Sequence, residues 1–409
     1  MIEICEEWSP WVTPRALLSE PIHRWYTFPH SFTHQLVNAL AEEWRLGRSD
    51  LIIDPFVGAG TTVLAAKIAG IPAQGHDLSP LAVFVSRVKS AQHDPSRAQG
   101  AWSRLRPRLE AARWEVASGN YPPLVTRAIP PRTLGVFEGI SRAITRMRCP
   151  EPTKELFHLA LLATMPDFSR AVATGGWLSW VGKARKREAE LLPTFKLRVG
   201  QMLEDISISP LSGEGCWGVS CADARRLPEP DSTASAAITS PPYPNRHDYT
   251  RVFGVELMYR FLDWEGTRNL RRQSFQSHPE SRPERPDPKG YSPPGRLSKL
   301  LGDLRRAGVE EKIRGMIEGY FVDIFLCLCE LRRVCKPGAP VALVLGNARY
   351  AGIPVMVDEL TAEIGEQAGL RCERIRAVRF RGNSAQQMGA FGRSPSRESI
   401  VIFRNLKRG

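Results

Sequence analysis

Apolar and polar residues between positions 31 and 90 follow the spacings of successive helices and strands. The stretches SFTHQLVNALAEEW, TTVLAAKIAG and LAVFVSRVKSA carry apolar residues at helical spacing and predict three helices, the second closed by Gly70. Short apolar runs in LIIDPFVGAG and IPAQGHDLSP predict buried strands, the first of which enters a glycine-rich turn. Strands that alternate with helices are typical of a parallel sheet with helices on both faces, so the predicted fold class is α/β.

The alternating pattern stops at residue 91 and returns only near residue 216. Residues 91–215 are mostly helical in character, with LFHLALLATM as a buried segment and WLSWVGKARKREAELL as an aromatic stretch that becomes basic. We therefore expect a helical insertion within the α/β fold.

Three more strands, a basic segment, a long helix and a closing hairpin are predicted after the insertion. The stretch GCWGVSCADARRLPEPDSTASAAITSPPY predicts one strand that ends near Asp223 and another that ends at Ser240. Residues 268–306 are rich in proline, arginine and serine, with ten Lys or Arg against four Asp or Glu, and predict a mobile loop. A long helix then leads through the turn at Lys336–Gly338 to the strand VALVLGN, and LRCERIRAVRF with RESIVIFRN predicts a β hairpin.

Composition points to a polyanionic partner. The 409 residues carry 56 Lys and Arg against 43 Asp and Glu, and the formal net charge of +13 favours nucleic acid. No apolar run approaches the roughly 18 residues of a membrane span, and the acidic start MIEICEEWSP lacks a signal-peptide core. We therefore expect a cytoplasmic, nucleoid-associated protein with no membrane partner. The eight cysteines are scattered without CxxC pairs, which favours reduced packing residues over a metal site.

The stretch DPFVGAGTT, Asp54 to Thr62, is the strongest local signal of a binding site. It follows a predicted strand and opens a helix, so Gly58 and Gly60 let the backbone pass close to a ligand while the helix N-terminus offers free amides. The spacing matches neither the G-x-G-x-x-G motif nor the P-loop. An ordinary tight turn between strand and helix is the alternative interpretation.

Two aspartates stand at the ends of the neighbouring predicted strands. Asp77 lies where an open α/β sheet places acceptors for ribose hydroxyls, although the same residue can cap the helix that follows. Asp223 is placed to meet an adenine edge, with a cap or a turn as the alternative. Further along, ITSPPYPNR ends a strand with two prolines, which remove two backbone donors and fix two φ angles. Such rigidity suits either a surface turn or a reaction site.

DPFVGAGTT followed in the same chain by TSPPY resembles the DNA amino-methyltransferases, which use S-adenosylmethionine to methylate an exocyclic base nitrogen. HRWYTFPHSFTHQLVNAL looks like the methionine-side motif of that family, GHDLSPLAVFVSRVK like its ribose motif and CADARRLP like its adenine motif. RRVCKPGAPVALVLGN and QQMGAFGRSPSRESIVIFRN resemble its later core strands. The resemblance implies a Rossmann-like methyltransferase sheet and the cofactor S-adenosyl-L-methionine.

The resemblance also implies which residues form the site. Cofactor binding falls to Asp54, Phe56, Gly58, Gly60, Thr61 and Thr62 near the methionine and ribose, to Asp77 at the ribose, to Asp223 at the adenine amine, and to Tyr26 and Phe28 beside the methionine end. The catalytic positions are Ser240, Pro241, Pro242 and Tyr243.

The chemistry of amine methylation accounts for such a set of catalytic residues. An exocyclic amine is a poor nucleophile because its lone pair is delocalised into the ring, so the site must accept the amine hydrogens. The Ser240 hydroxyl oxygen and a carbonyl of the Pro241–Pro242 segment offer two acceptors. Tyr243 can stack on a base that has been taken out of the duplex. Transfer is then a direct displacement governed by positioning, without a covalent enzyme intermediate.

Two other base-modifying chemistries do not fit the sequence. Methylation at cytosine carbon 5 needs the cysteine of a Pro-Cys pair, and this chain has Cys149-Pro150 but no Pro-Cys. A zinc deaminase needs P-C-x-x-C after H-x-E, and none follows His278-Pro279-Glu280.

The first residue of the tetrapeptide bears on the target base. Within the resembling family, serine there is typical of cytosine-N4 enzymes, and aspartate or asparagine of adenine-N6 enzymes. Ser240 therefore favours cytosine N4 over adenine N6. A tRNA guanine methyltransferase and a catalytically silent nucleic-acid-binding protein are more distant alternatives. DPFVGAGTT precedes TSPPY here, the reverse of the commonest order, which leaves the DNA-recognition region open.

Two regions are candidates for contact with double-stranded DNA, the expected partner. The first is GGWLSWVGKARKR, with Trp177, Trp180, Lys183, Arg185, Lys186 and Arg187. The second is the basic segment with Arg268, Arg271, Arg272, Arg282 and Arg285. A helix with a buried aromatic face is the alternative for the first region, and a disordered linker for the second. Whether a restriction endonuclease accompanies the chain, and whether the chain is oligomeric, stay open.

The predicted organisation has five parts. Residues 1–90 form the cofactor-binding half of the core, 91–215 a helical insertion for target recognition, 216–261 the catalytic half, 262–312 a basic loop, and 313–409 the remainder of the core.

Overall fold

A computed structural model describes residues 2–209, 216–381 and 396–406. The strands within these ranges are β1 (Ile2–Ile4), β2 (Ile52–Asp54), β3 (Ala73–Asp77), β4 (Ala171–Thr174), β5 (Trp177–Trp180), β6 (Trp217–Cys221), β7 (Ala236–Thr239), β8 (Pro340–Gly346), β9 (Ala348–Tyr350), β10 (Ile353–Val355), β11 (Leu370–Arg381) and β12 (Ser396–Asn405). The helices are α1 (His34–Glu43), α2 (Thr61–Ile68), α3 (Pro80–Ser90), α4 (Pro95–Glu110), α5 (Pro123–Ala128), α6 (Pro131–Thr145), α7 (Glu151–Phe168), α8 (Leu191–Ile208), α9 (Tyr249–Val252), α10 (Gly254–Arg260), α11 (Trp264–Gln273), α12 (Gly295–Arg306), α13 (Glu311–Val334) and α14 (Val357–Gln367).

An eight-stranded sheet in the order β1-β11-β12-β8-β7-β2-β3-β6 forms the centre of the molecule. The five strands from β8 to β6 run parallel, whereas β12 is antiparallel to both of its neighbours. The predicted α/β, Rossmann-like fold and its closing β hairpin are confirmed. The edge strand β1, which pairs in parallel with β11, was not predicted because three residues of MIEIC are too short to show a period. Residues 386–395 of the stretch QQMGAFGRSPSRESIVIFRN lie outside the described residues, and its last ten residues form β12.

The central strands are buried on both faces, which explains their continuous apolar runs. Because successive side chains of a strand point to opposite faces, Ile52 and Val344 pack in one apolar cluster with α1 and α2, whereas Ile53 and Leu343 pack in another with α13 and α14. None of the described helices is both long and apolar enough to cross a membrane.

The strand order reverses between β2 and β7. From β2 the chain moves outward to β3 and β6, and it then returns to β7 and β8 on the other side of β2. Ligands of open α/β sheets bind at the carboxyl ends of the strands beside such a reversal. The ends of β2, β3, β6 and β7 are therefore where a site is expected.

Residues 91–209 contribute five helices, α4 to α8, and a hairpin formed by β4 and β5. Their apolar residues share one core with α3, in which Phe84 and Val88 pack with Trp102, Phe157 and Phe195. The alternative of a helix over WLSW is wrong, since these residues form β5. Gly175, with φ of +60°, lies in the tight turn that joins β4 to β5, and aromatic residues favour strands.

The prediction of a loop over 262–312 is wrong for much of that range. Helix α11 occupies its start, and α12 follows residues 274–294. Leu297, Leu300 and Leu304 lie on one face of α12 and are buried in the cluster that contains α13. Proline and arginine content masked this amphipathic spacing.

Candidate active site

A cavity opens at the carboxyl edge of the sheet, beside the reversal of strand order. Many of the predicted site residues line it: Phe28, Asp54, Phe56, Gly58, Thr61, Asp77, Asp223, Ser240 and Pro242. The fold therefore brings together the glycine-rich turn, Asp77 at the end of β3, Asp223 after β6, and the start of the TSPPY motif.

Asp54 joins the strands β2 and β7 at the floor of this cavity. Its Oδ1 accepts hydrogen bonds from the Thr239 hydroxyl at 2.6 Å and from the Phe56 amide at 3.1 Å. Burial raises the pKa of the Asp54 carboxyl above its ordinary value, although these bonds favour the ionised form. The carboxylate shapes the first half of the turn through the Phe56 amide.

Asp77 shapes the second half of the same turn. Its Oδ2 accepts a hydrogen bond from the Gly58 amide at 3.1 Å, and its Oδ1 accepts one from the Ser79 amide at 2.9 Å. Burial, assisted by the nearby Asp54 charge, raises the pKa of Asp77 to about 6. The N-cap position of α3 is Ser79 and has no side-chain cap, so Asp77 does not cap the helix; its carboxylate orients the turn and lies on the cavity wall.

Three residues that were predicted to bind the cofactor do not line the cavity but pack behind the residues that do: Tyr26, Gly60 and Thr62. Gly60 has a φ of +85°, and a Cβ there would lie 2.9 Å from the Cα of Ser86, so only glycine allows the turn to approach α3. Thr62 donates a hydrogen bond to the Ile238 carbonyl at 3.3 Å. The buried Tyr26 hydroxyl donates one to Glu256 at 3.4 Å.

Asp223 is held by an arginine that the sequence reasoning missed. Arg225 donates to both Asp223 carboxylate oxygens, at 2.9 Å from Nε and 2.7 Å from Nη2, and its side chain is only 1% exposed. The same guanidinium donates to Asp323 of α13 at 2.9 Å. Asp323 also accepts from Arg285 at 2.7 Å. The position two residues after Asp223 in CADARRLP was the available signal.

The TSPPY segment is fixed from the side of β8. The Ser240 hydroxyl donates to the Val344 carbonyl at 3.1 Å. Pro241 is buried, Pro242 lines the cavity, and the Tyr243 ring lies against Gly346, where a Cβ would come within 2.7 Å of the ring. The rigidity expected of the double proline is therefore matched by contacts with the next strand.

Aromatic side chains that the sequence reasoning did not select form the cavity walls. Phe253 packs on Phe28 with ring centroids 4.4 Å apart, and Phe275 meets Phe56 edge to face at 5.3 Å. Tyr249 also lines the cavity, and burial raises its pKa. These residues lie in α9, between α9 and α10, and in the segment after α11, none of which carries a strand-end signal.

The predicted DNA-contact residues lie outside this cavity and differ in their partners. Trp177 and Trp180 are partly exposed on β5. Two of the basic residues after them form ion pairs at long distance, Arg185 with Asp167 at 3.9 Å and Arg187 with Glu190 at 3.7 Å. Lys186 donates a hydrogen bond to the neutral hydroxyl of Thr194 at 3.0 Å. Lys183 is exposed. In the second region Arg268 and Arg272 are exposed, whereas Arg271 is engaged with Asp248 at 2.9 Å.

The donors and acceptors of the cavity fit a cationic nucleoside such as S-adenosylmethionine. Buried carboxylates suit ribose hydroxyls and a nearby positive charge, and the aromatic walls suit the face of a purine. Asp54, Asp77 and the Gly58 backbone would hold the ribose and methionine side. Both oxygens of Asp223 are already bonded to Arg225, so its contact with an adenine amine would share an occupied acceptor.

The fold and the arrangement of the cavity agree with the resemblance to S-adenosylmethionine-dependent methyltransferases, and the chain is similar to two methyltransferases along nearly its whole length. It is 29% identical to the type II methyltransferase M.BsoBI of Geobacillus stearothermophilus over 451 aligned residues, which cover 96% of this chain and 87% of the relative. It is 28% identical to the type II methyltransferase M.AvaI of Nostoc sp. (strain PCC 7120 / SAG 25.82 / UTEX 2576) over 438 aligned residues, covering 96% and 88%. The predicted cofactor, S-adenosylmethionine, is confirmed by this similarity.

No family model matches the chain. Among solved structures, TrmN from Thermus thermophilus shares 12% identity, with a TM-score of 0.31 over 91% of this chain and 49% of that chain. A likeness at this level supports no argument about function.

Proposed function

We propose that this chain is a DNA methyltransferase that methylates the N4 amine of cytosine within a specific double-stranded sequence. Its similarity to two type II methyltransferases along nearly the whole chain supports the reaction class. The net charge of +13 supports a nucleic-acid substrate.

The hydrogen bond of Ser240 is the observation that carries this proposal. Because the hydroxyl donates its proton to the Val344 carbonyl, the lone pairs of Oγ are left as acceptors at the cavity wall. An acceptor in a fixed direction suits an amine hydrogen, and it disfavours delocalisation of the amine lone pair into the ring. Ser240 is in this way an acceptor whose orientation is set before the substrate arrives.

The neighbouring residues complete the arrangement. The Pro241–Pro242 segment presents a carbonyl whose direction is fixed by the ring constraints. Tyr243, supported by Gly346, offers a face on which an extrahelical base can stack. The bound cofactor supplies an electrophilic methyl group on a sulfonium. The residues of this chain contribute orientation and exclusion of water, which is sufficient for a displacement that needs no protein nucleophile.

The N6 amine of adenine is the second candidate for the atom that receives the methyl group. It shares the cavity, the cofactor and the need for two amine acceptors. Serine in place of an acidic or amide residue at position 240 is what favours cytosine. Analysis of the nucleosides released from methylated DNA distinguishes the two bases.

Transfer of labelled methyl groups from S-adenosylmethionine to unmethylated DNA of mixed sequence tests the proposal. We expect N4-methylcytosine in the nucleosides released from the product. N6-methyladenine would overturn the choice of base. DNA binding without transfer would indicate the catalytically silent alternative, and transfer to tRNA in a parallel reaction would overturn the choice of nucleic acid.

A further inference from the structure

The β4–β5 hairpin lies beside the catalytic segment. A Cβ on Gly176, in the hairpin turn, would come within 2.9 Å of the Cα of His247 and 3.2 Å of the Arg246 carbonyl oxygen. Both strands also contact α9, whose Tyr249 and Thr250 line the cavity. A nucleic acid that places a base at Ser240 must therefore pass close to this hairpin.

The hairpin exposes aromatic surface at this place. Trp177 is 51% exposed and Trp180 is 40% exposed, and Val181 next to them is also 40% exposed. Three large apolar side chains within five residues of one hairpin form an apolar surface of the sort that marks an interaction site.

Each tryptophan is covered by an arginine, and the two arginines differ. Arg251 lies 4.6 Å from the centroid of the Trp177 ring, but it also forms ion pairs with Asp248 and Glu280. Arg127 lies 4.0 Å from the Trp180 centroid and is exposed. Among the described residues, no carboxylate lies within ion-pair distance of Arg127. Its charge is uncompensated, and the ring holds it in place.

Two further cations extend this uncompensated charge. Arg170 follows α7, and its backbone amide donates to the Ala128 carbonyl at 2.8 Å. Ala128 is the residue after Arg127, so this bond brings the backbone of Arg170 close to Arg127. Lys183 lies three residues beyond β5. Both side chains are exposed, and within the described part of the chain neither forms an ion pair with a carboxylate. We call Arg127, Arg170, Trp177, Trp180 and Lys183 the hairpin patch.

We propose that the hairpin patch binds the DNA phosphate backbone next to the target base, with Arg127, Arg170 and Lys183 as the phosphate contacts. The inference rests on the proposed function and deepens it, because it assigns the place at which the duplex is held. Phosphates would neutralise three cations that form no ion pair with a carboxylate among the described residues, Trp180 fixes Arg127, and both tryptophans offer apolar contact to sugars or bases. Contacts of this kind are independent of base sequence.

Binding to a 30-base-pair duplex of random sequence tests the patch without knowledge of the recognition site. The variant carries Arg127→Ala, Arg170→Ala and Lys183→Ala. The logarithm of its association constant should depend less steeply on the logarithm of salt concentration, by about 2 to 3 units, because each phosphate contact contributes about 0.9. At moderate salt the affinity should fall about tenfold or more.

A matched control removes three exposed arginines of α4, which packs against α6, α7 and α8. Arg104→Ala, Arg106→Ala and Arg108→Ala lower the net charge equally, and the salt dependence should keep its wild-type slope. An equal loss of slope in both triple variants, or no loss in the hairpin variant, would overturn the inference. Arg127→Lys with Arg170→Lys should retain most of the slope because the charges remain.

Methyl transfer and cofactor affinity separate this inference from the proposed function. The hairpin variant should bind S-adenosylmethionine like the wild type and transfer methyl groups at saturating DNA. A wild-type protein that transfers no methyl group to DNA would contradict the proposed function. Transfer by the wild type together with an unaltered salt slope in the hairpin variant would contradict the patch alone.

Discussion

Asp77 and Ser240 each have a hydrogen bond to the protein and a position on the cavity wall. Asp77 accepts from Gly58 and Ser79, and Ser240 donates to Val344. These bonds set the direction of each side chain before a ligand binds. For such residues the structural and functional interpretations of the sequence are compatible, because one group of atoms meets both demands.

Ser240→Ala should lower the rate of methyl transfer about 100-fold, as removal of one oriented polar group in an active site commonly does. The affinity for S-adenosylmethionine should change little, since the hydroxyl is assigned to the amine of the base. Single-turnover kinetics and calorimetric titration measure the two quantities. Ser240→Thr, which retains the hydroxyl, should recover part of the rate. A large loss of cofactor affinity in the alanine variant would contradict the assignment of the Ser240 hydroxyl to the amine of the base.

Cofactor affinity should rise between pH 5 and pH 7. The pKa of Asp77 is raised to about 6 by burial, so the carboxyl is largely protonated at pH 5 and ionised at pH 7. The ionised form attracts the sulfonium and accepts from ribose, which predicts about a tenfold gain in affinity. Asp77→Asn should remove this pH dependence in titrations followed by calorimetry. An unchanged profile would assign the titration to another group.

The raised pKa of Asp77 affects the stability of the folded protein in the opposite direction to cofactor affinity. The folded-state pKa of Asp77 lies above the ordinary value of 3.8, so the folded protein binds the proton more tightly than the unfolded chain. The contribution of this carboxyl to the free energy of unfolding therefore falls as the pH rises from about 4 to about 6. Bound cofactor should counter that loss.

At the scale of elements, the turn between β2 and α2 depends on a close approach to α3. Gly60→Ala should lower the free energy of unfolding by about 2 to 3 kcal/mol, because it combines a positive φ with a clash against the backbone of Ser86. Gly47→Ala is the control, since a Cβ at that glycine meets nothing within 4 Å. Chemical denaturation measures both variants. Equal stabilities would contradict the geometry of the turn.

The elements that the sequence predicted well are those with a strong apolar period. The strands and helices between residues 31 and 90 were predicted because each short apolar run is bounded by glycine or proline. The hairpin β4–β5 was missed, since two exposed tryptophans on a strand have the composition of a helix face. Helix α12 was missed because proline and arginine surround its three buried leucines.

The candidate site could be predicted in part for a related reason. Strand ends converge at a reversal of strand order, so Asp54, Asp77, Asp223 and Ser240 could be placed from sequence order alone. Phe275 and the contact between Arg225 and Asp323 could not, because they depend on how α11 and α13 pack across the sheet edge. No local spacing records that packing.

At the scale of the whole molecule, a buried ion network joins distant parts of the chain. Arg225 links Asp223 at the end of β6 to Asp323 in α13, and Arg285 binds the same aspartate. The cavity wall at Asp223 is thereby connected to the basic segment and to the longest described helix. Removal of one charged side chain from this network leaves the remaining buried charges with fewer ion-pair partners.

Arg225→Met should lower the free energy of unfolding by about 3 kcal/mol, in the range expected when one partner of a buried ion pair is removed. Arg226→Met, at the exposed neighbouring position, should change it by less than about 0.5 kcal/mol. Combining Arg225→Met with Asp323→Asn should cost less than the sum of the single changes, because the double variant no longer buries the Asp323 charge that has lost one of its two arginine partners. Strict additivity would mean that the two residues act independently.

The core that α3 shares with α4 to α8 limits how this chain can be recombined with its relatives. Phe84 and Val88 belong to α3, which precedes residues 91–215 in the chain, yet they pack against Trp102 of α4, Phe157 of α7 and Phe195 of α8. Exchange of residues 91–215 for the corresponding region of another methyltransferase would expose or overfill this surface. A functional chimera would have to bring its own α3 face, so this region cannot be transplanted as an independent module.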